Sequence, residues 1–119
     1  MLSKKSLEKL TTCDSRLRII VGELSSQLDV VVLCGHRTKE EQDKAVAGGF
    51  SRAKFPTSKH NSLPSKAVDI APLPIDWNNI EAFEHMVDLV KKIAADHGIA
   101  IRCGADFKSF KDYPHVEVD

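Results

Sequence analysis

Neither sign of charge prevails in this 119-residue chain: Lys and Arg together number 17, and so do Asp and Glu. No global field draws it to nucleic acid or to a membrane surface, so no nucleic-acid partner and no stable membrane association are expected. Aromatic residues are scarce at 6%, and none alternates with basic residues in the way that stacking on single strands requires. No segment approaches the roughly 20 apolar residues of a membrane span. Met1 to Leu10 carries lysines with no apolar stretch behind them, so no signal peptide is expected. The three cysteines, Cys13, Cys34 and Cys103, are odd in number, far apart and without a Cys-x-x-Cys pair. That argues against a disulfide framework or a cysteine-based zinc knuckle, and it suits a reducing cytosol. Repeats, linkers and low-complexity tracts are absent as well.

What is present is the composition of a globular protein, 42% hydrophobic and 29% charged. The length allows a single domain over residues 1–119 with one core. A short helical turn is expected over residues 3–10. Asp14 or Ser15 caps a helix in which Leu17, Ile20, Val21 and Leu24 form one stripe, ending near Gln27. Val30 to Leu33 reads as a buried strand. Alternation groups Val31, Leu33, Gly35 and Arg37 on one face, and Val32, Cys34 and His36 on the other. Thr38 and Glu41 fit a capping box for a helix that Gly48-Gly49 stops. Phe50 to Lys66 has no period, and its length inside so small a domain points to function.

A second strand is expected over Ala67–Ala71. A long helix follows from Asp76 or Asn78 to about His97, with Ile80, Phe83, Val87, Val90 and Ala94 on its buried face. Ile99–Cys103 and Tyr113–Val118 read as a third and fourth strand. The fold class is α+β, with two or three helices on a small, largely antiparallel sheet.

Chemistry concentrates in two stretches. Ser58 to Asp69 carries His60 and Asp69 at its ends. In the strand Ala67, Asp69 and Ala71 share a face, so the two alanines are expected to leave open space around the carboxylate. An acid there needs a positive partner. His115 shares a face of the last strand with Glu117. Two imidazoles and one carboxylate form a ligand set seen in catalytic zinc sites, where the fourth position stays open. Zinc lowers the pKa of its water from about 15.7 to roughly 7. Both Asp112 and Glu117 could accept that proton, and geometry leaves them nearly even; Asp112 needs a turn or bulge at Tyr113-Pro114. Arg37, between a strand and a capped helix, has a planar fork suited to a carboxylate or an oxyanion. His36 points the other way. His85 and His97, about 120° apart at 3.6 residues per turn, are no metal pair. Cys34 and Cys103 read as small core residues, and Trp77 as a cover on the core edge.

Ser58-Lys59-His60, Pro64-Ser65-Lys66-Ala67-Val68-Asp69-Ile70-Ala71-Pro72 and Asp112-Tyr113-Pro114-His115-Val116-Glu117 resemble the zinc D-alanyl-D-alanine carboxypeptidase and dipeptidase family. The closer likeness is to its phage branch, the L-alanyl-D-glutamate peptidase endolysins. Gly35-His36-Arg37-Thr38 with Gln42, and Pro74-Ile75-Asp76-Trp77, are similar too. The likeness runs from about Ser6 to the C-terminus.

The resemblance implies a zinc D,D-peptidase (hedgehog-like) fold with Zn²⁺ on His60, Asp69 and His115. It implies Asp112 as general base and Arg37 as a group that binds and polarises substrate, with Ser58 and Gln42 lining the cleft. It further implies a monomer that waits in the host cytoplasm until a pore-forming protein admits it to the wall, where it cuts peptidoglycan stem peptides. The L-alanyl-D-glutamate bond is the expected target. A D-Ala-D-Ala carboxypeptidase or dipeptidase, or a non-catalytic domain stabilised by zinc, are the alternatives. No cell-wall-binding domain is expected. Cys103-Gly104-Ala105-Asp106-Phe107 departs from the family's Trp-Gly-Gly-Asp-Trp run, which alters the expected substrate wall.

Overall fold

The computed structural model describes residues 1–51, 53–108 and 110–119. Four helices, α1 (Lys4–Leu10), α2 (Ser15–Leu24), α3 (Lys39–Ala47) and α4 (Ile80–Asp96), accompany four strands, β1 (Val30–Cys34), β2 (Ala67–Pro72), β3 (Arg102–Cys103) and β4 (His115–Glu117). Short 3-10 turns occupy Lys59–Asn61 and Gly104–Asp106. The sheet order is β1-β2-β4-β3, with every pairing antiparallel. The expectation of two or three helices falls short by one, because Ser3 caps the first stretch by accepting from Ser6 N–H and turns it into a regular helix.

The core follows from the apolar periods. Leu17, Ile20, Val21 and Leu24 of α2 meet Phe83, Met86, Val90 and Ile93 of α4 above Val32, Val68, Ile70 and Val116 of the sheet. Each such side chain contributes on the order of 1.5–3 kcal/mol by leaving water. Helix α1 covers the outer edge of β1, where Val32 N–H would otherwise lack a partner. The buried Ser6 hydroxyl accepts it at 3.0 Å.

Gly35, just past β1, lets this cover come close. A Cβ there would stand 2.4 Å from both the Lys9 carbonyl oxygen and the Thr12 hydroxyl.

Several boundaries differ from the sequence expectation. Helix α2 ends at Leu24, where Ser25 to Gln27 continue as turns. Helix α4 begins at Ile80, because Asn79 is the residue whose side chain caps it, accepting from Ala82 N–H. Strand β3 is confined to Arg102 and Cys103, which pair with Glu117 and Val116, while Ile99 and Ile101 pack on the core. Strand β4 begins only at His115. The preceding Tyr113-Pro114 forms a turn in which His115 N–H donates to the Asp112 carbonyl at 3.1 Å. Pro114 still offers its carbonyl to Ile70 N–H across the sheet.

The largest departure is in β1. Val32 pairs with Ile70 and Cys34 with Asp69, so Leu33 is an extra residue, a β-bulge. The bulge reverses the alternation beyond Val32. Cys34 therefore lies across from Asp69 instead of sharing the core side with Val32, and it is not the small core residue expected. Cys103, at 2% exposure, is one.

Candidate metal centre and catalytic cleft

Sheet register assembles the centre. Asp69 on β2 stands directly across from His115 on β4 and from Cys34 on β1. The third side, His60, comes from the loop. Ser58 caps its 3-10 turn by accepting His60 N–H at 3.2 Å, and two backbone bonds fasten the turn to the sheet: Arg37 N–H to the His60 carbonyl at 2.7 Å, and Lys66 N–H to the Lys59 carbonyl at 3.0 Å.

Both imidazoles are oriented by an acceptor on their far side. His60 Nδ1 lies 2.8 Å from the Gly35 carbonyl oxygen, so it carries a hydrogen, and Nε2 faces Asp69 Oδ1 at 3.4 Å. His115 Nε2 lies 2.9 Å from Glu117 Oε1, which leaves Nδ1 facing the same Asp69 oxygen at 3.3 Å. The two rings meet edge to face with centroids 5.3 Å apart. A metal-ligating histidine takes this arrangement, its outer nitrogen held by a carbonyl or carboxylate and its inner lone pair aimed at the ion. His60 is only 2% exposed, yet its Nε2 has no hydrogen-bond partner. A buried polar nitrogen without a partner costs about 1–3 kcal/mol, and a cation held between it, Asp69 and His115 Nδ1 would remove that cost. The donor set suits zinc.

Donor atoms gather in two groups that share Asp69: Cys34, His60 and Asp69, and Asp69, Asp112 and His115. Within each group the atoms all lie within 4.8 Å of one another. Burial opposes charge on His60, but Asp69 and Cys34 beside it prevail and raise its pKa to about 10. His115 is also raised, with Asp69 outweighing burial. Burial alone would raise Asp69, but the two imidazoles hold its carboxyl well below the usual carboxylate range. Asp112 is raised, first by burial and then by the negative charge of Asp69.

Glu117 and Asp112, which the sequence left nearly even, separate here. Glu117 is engaged with His115, whereas Asp112 faces the centre from the turn before β4. Gly104 holds that turn: its carbonyl accepts Asp112 N–H at 2.9 Å, and a Cβ on it would come within 2.0 Å of the Asp112 carbonyl oxygen.

Arg37 is held more tightly than an open substrate clamp. Its Nη1 donates to Gln42 Oε1 at 2.9 Å, and Nη2 lies 3.5 Å from Cys34 Sγ and 3.6 Å from Asp69 Oδ2. Gln42, expected to line the cleft, is fully buried and cannot touch a ligand; it anchors Arg37 and accepts from Asn61 Nδ2 at 3.3 Å. Ser58 does line the cleft. The alanines flanking Asp69 do not make open space, since both are fully buried. The space is a cleft of about 480 Å³ running past Ser58, His60 and His115. A second hollow of about 350 Å³ lies toward Trp77, Phe83 and Tyr113, and Arg37, Asp69 and Asp112 border both. Phe107 closes the first cleft above His115, with ring centroids 5.6 Å apart. Trp77 stacks on Phe83 at 5.5 Å and remains 57% exposed, so it covers the core edge and walls the second hollow together. His36 turns away, its Nδ1 lying 2.9 Å from the Ser62 carbonyl oxygen.

The sequence model of the phage L-alanyl-D-glutamate peptidase family matches residues 1–118. The chain belongs to this family. Among family relatives, the L-alanyl-D-glutamate peptidase of Escherichia phage T5 is 32% identical over 120 residues, spanning 97% of this chain and 86% of the phage T5 protein. The crystal structure of the Serratia marcescens L-Ala D-Glu endopeptidase ChiX superposes with a TM-score of 0.84, covering 100% of this chain and 90% of the other at 23% identity. The peptidase family thus accounts for the α+β fold and for an enzyme that degrades peptidoglycan. No helix is long and apolar enough to cross a membrane among the described residues.

Proposed function

We propose that this protein is a zinc endopeptidase that hydrolyses the bond between L-alanine and D-glutamate in peptidoglycan stem peptides. The observation that carries the reading is the pair of oriented imidazoles, one with a buried unpartnered nitrogen, converging on Asp69 beside the perturbed Asp112. The phage T5 relative bears the name of that activity.

His60, Asp69 and His115 are the zinc ligands in this reading. Bound zinc supplies Lewis acidity to the scissile carbonyl and makes a water acidic enough to attack at neutral pH. Asp112 takes the proton from the attacking water and passes it to the leaving D-glutamyl nitrogen. Its burial raises its basicity and keeps it close to the centre rather than out in solvent. Arg37 presents fixed positive charge at the junction of the two hollows, where an oxyanion or a substrate carboxylate gains most from a preorganised donor. Ser58 and Phe107 border the arm that receives one side of the stem peptide. The protein acts as a monomer, and it remains in the host cytoplasm until a separate pore-forming protein gives it access to the wall.

The test is digestion of purified peptidoglycan with identification of the new termini by mass spectrometry. New D-glutamate amino termini support the assignment; release of D-alanine instead would move the protein to the carboxypeptidase reading.

A further inference from the structure

Cys34 has no part in the mechanism above, yet its sulfur belongs to one donor group with His60 and Asp69. We propose that Cys34 is a fourth protein ligand, whose thiolate closes the metal centre into a resting form. The inference rests on the metal-centre reading of His60, Asp69 and His115.

The bulge at Leu33 is what brings it there. Without the extra residue, alternation would send Cys34 to the core side with Val32; with it, Cys34 pairs across from Asp69. Cys34 Sγ, a His60 ring nitrogen and an Asp69 oxygen all lie within 4.8 Å of one another. Of these, His60 Nε2 is the buried nitrogen with no hydrogen-bond partner, so the sulfur flanks an unpartnered donor. Arg37 Nη2, 3.5 Å from Sγ, offers a positive charge beside a bound thiolate. Sγ also lies 3.5 Å from the Gly35 carbonyl oxygen, the same oxygen that orients His60. Cys13 and Cys103 are buried, and neither joins a donor group among the described residues.

Ligand count gives the consequence. Three protein ligands leave a position open for water, whereas four close a tetrahedral zinc site. With Cys34 bound alongside His60, Asp69 and His115, the centre is closed; with Cys34 withdrawn, it is open. To close the centre, Cys34 would release its S–H proton to solvent and offer the thiolate in the position that water would otherwise take. Nothing is oxidised or reduced. A soft sulfur donor also shifts the site toward thiophilic ions relative to one built from nitrogen and oxygen alone.

Cobalt reads this out directly. Cobalt(II) chloride is added to the metal-free full chain, and the absorption spectrum is recorded for the wild type, Cys34→Ser and Cys34→Ala. The expected wild-type spectrum combines visible ligand-field bands with a near-ultraviolet thiolate-to-cobalt charge-transfer band. Both variants should still bind one cobalt per chain and keep visible bands, but lose the charge-transfer band. Cobalt bound by the wild type without that band overturns the proposal and leaves the three-ligand centre standing. A band that persists in both variants overturns it equally, by assigning the sulfur to Cys13 or Cys103. Failure of the wild type to bind cobalt at all overturns both readings.

Discussion

Glu117 Oε1 lies 2.9 Å from His115 Nε2, on the side of the ring away from Asp69. In the neutral ring that contact puts the hydrogen on Nε2 and leaves Nδ1 free to face the centre. Outer partners of metal-bound histidines typically contribute 10–100-fold in metal affinity or activity. Glu117→Ala is therefore expected to weaken zinc binding by about that factor, with Glu117→Gln retaining part of it. Competition with a chromophoric chelator measures the change. Unaltered affinity in Glu117→Ala would show that the orientation of His115 is set elsewhere.

Zinc loading should displace protons. In metal-free protein His60 keeps its proton up to about pH 10, and His115 is raised in the same direction, while a ligand must be neutral. Apparent zinc affinity should therefore climb as pH rises from 6 to 9, by up to about tenfold per unit for each proton displaced. Titration calorimetry in buffers of different ionisation heat counts those protons. The same shift bears on folding. A histidine raised from 6.5 to about 10 stabilises the fold fully below the unfolded value and loses that contribution as pH rises through the folded one. Metal-free protein should thus become less stable between about pH 6.5 and 10, a decline that zinc removes. A metal-free melting temperature that stays flat over this range would contradict the assignment.

Two glycine substitutions should separate the base turn from the rest of the fold. Gly104→Ala places a Cβ 2.0 Å from the Asp112 carbonyl oxygen, so the turn carrying Asp112 must move. A cost of roughly 1–3 kcal/mol is expected, together with a fall in kcat larger than any change in KM. Gly22→Ala, inside α2 with nothing within 4 Å of its new Cβ, should stabilise the chain by about 0.5–1 kcal/mol and leave turnover alone. Thermal melts and steady-state kinetics of the two variants make the comparison. Equal turnover in both would show that Asp112 does not depend on Gly104.

The sequence made the scaffold legible wherever one local rule sufficed. Thr38 and Glu41 form the expected capping box, the Leu17 to Leu24 stripe and the long-helix stripe from Phe83 to Ala94 bury as their period demands while Ile80 at its start stays exposed, and the turn that Asp112 required at Tyr113-Pro114 is present. It misled where a contact depends on three-dimensional register. A bulge at Leu33 leaves no mark in a run of valines and leucine, so Cys34 read as core. Gln42 matches a cleft residue by motif, but its burial and its hydrogen bonds with Arg37 and Asn61 make it an anchor. Glu117 and Asp112 looked alike as acids near His115, and only the path of the chain through Pro114 gives them different neighbours. The signal that could have found Cys34 was its position one residue before the Gly35-x-Arg37 segment.

The division of labour between Asp112 and the three proposed ligands is tested most directly by Asp112→Asn. Zinc content is measured on the purified variant, and cleavage of peptidoglycan is followed beside the wild type. The account predicts one zinc per chain, an unchanged fold and a loss of cleavage by about 10²–10⁴-fold. A zinc-loaded Asp112→Asn protein that cuts the stem peptide at the wild-type rate would contradict it.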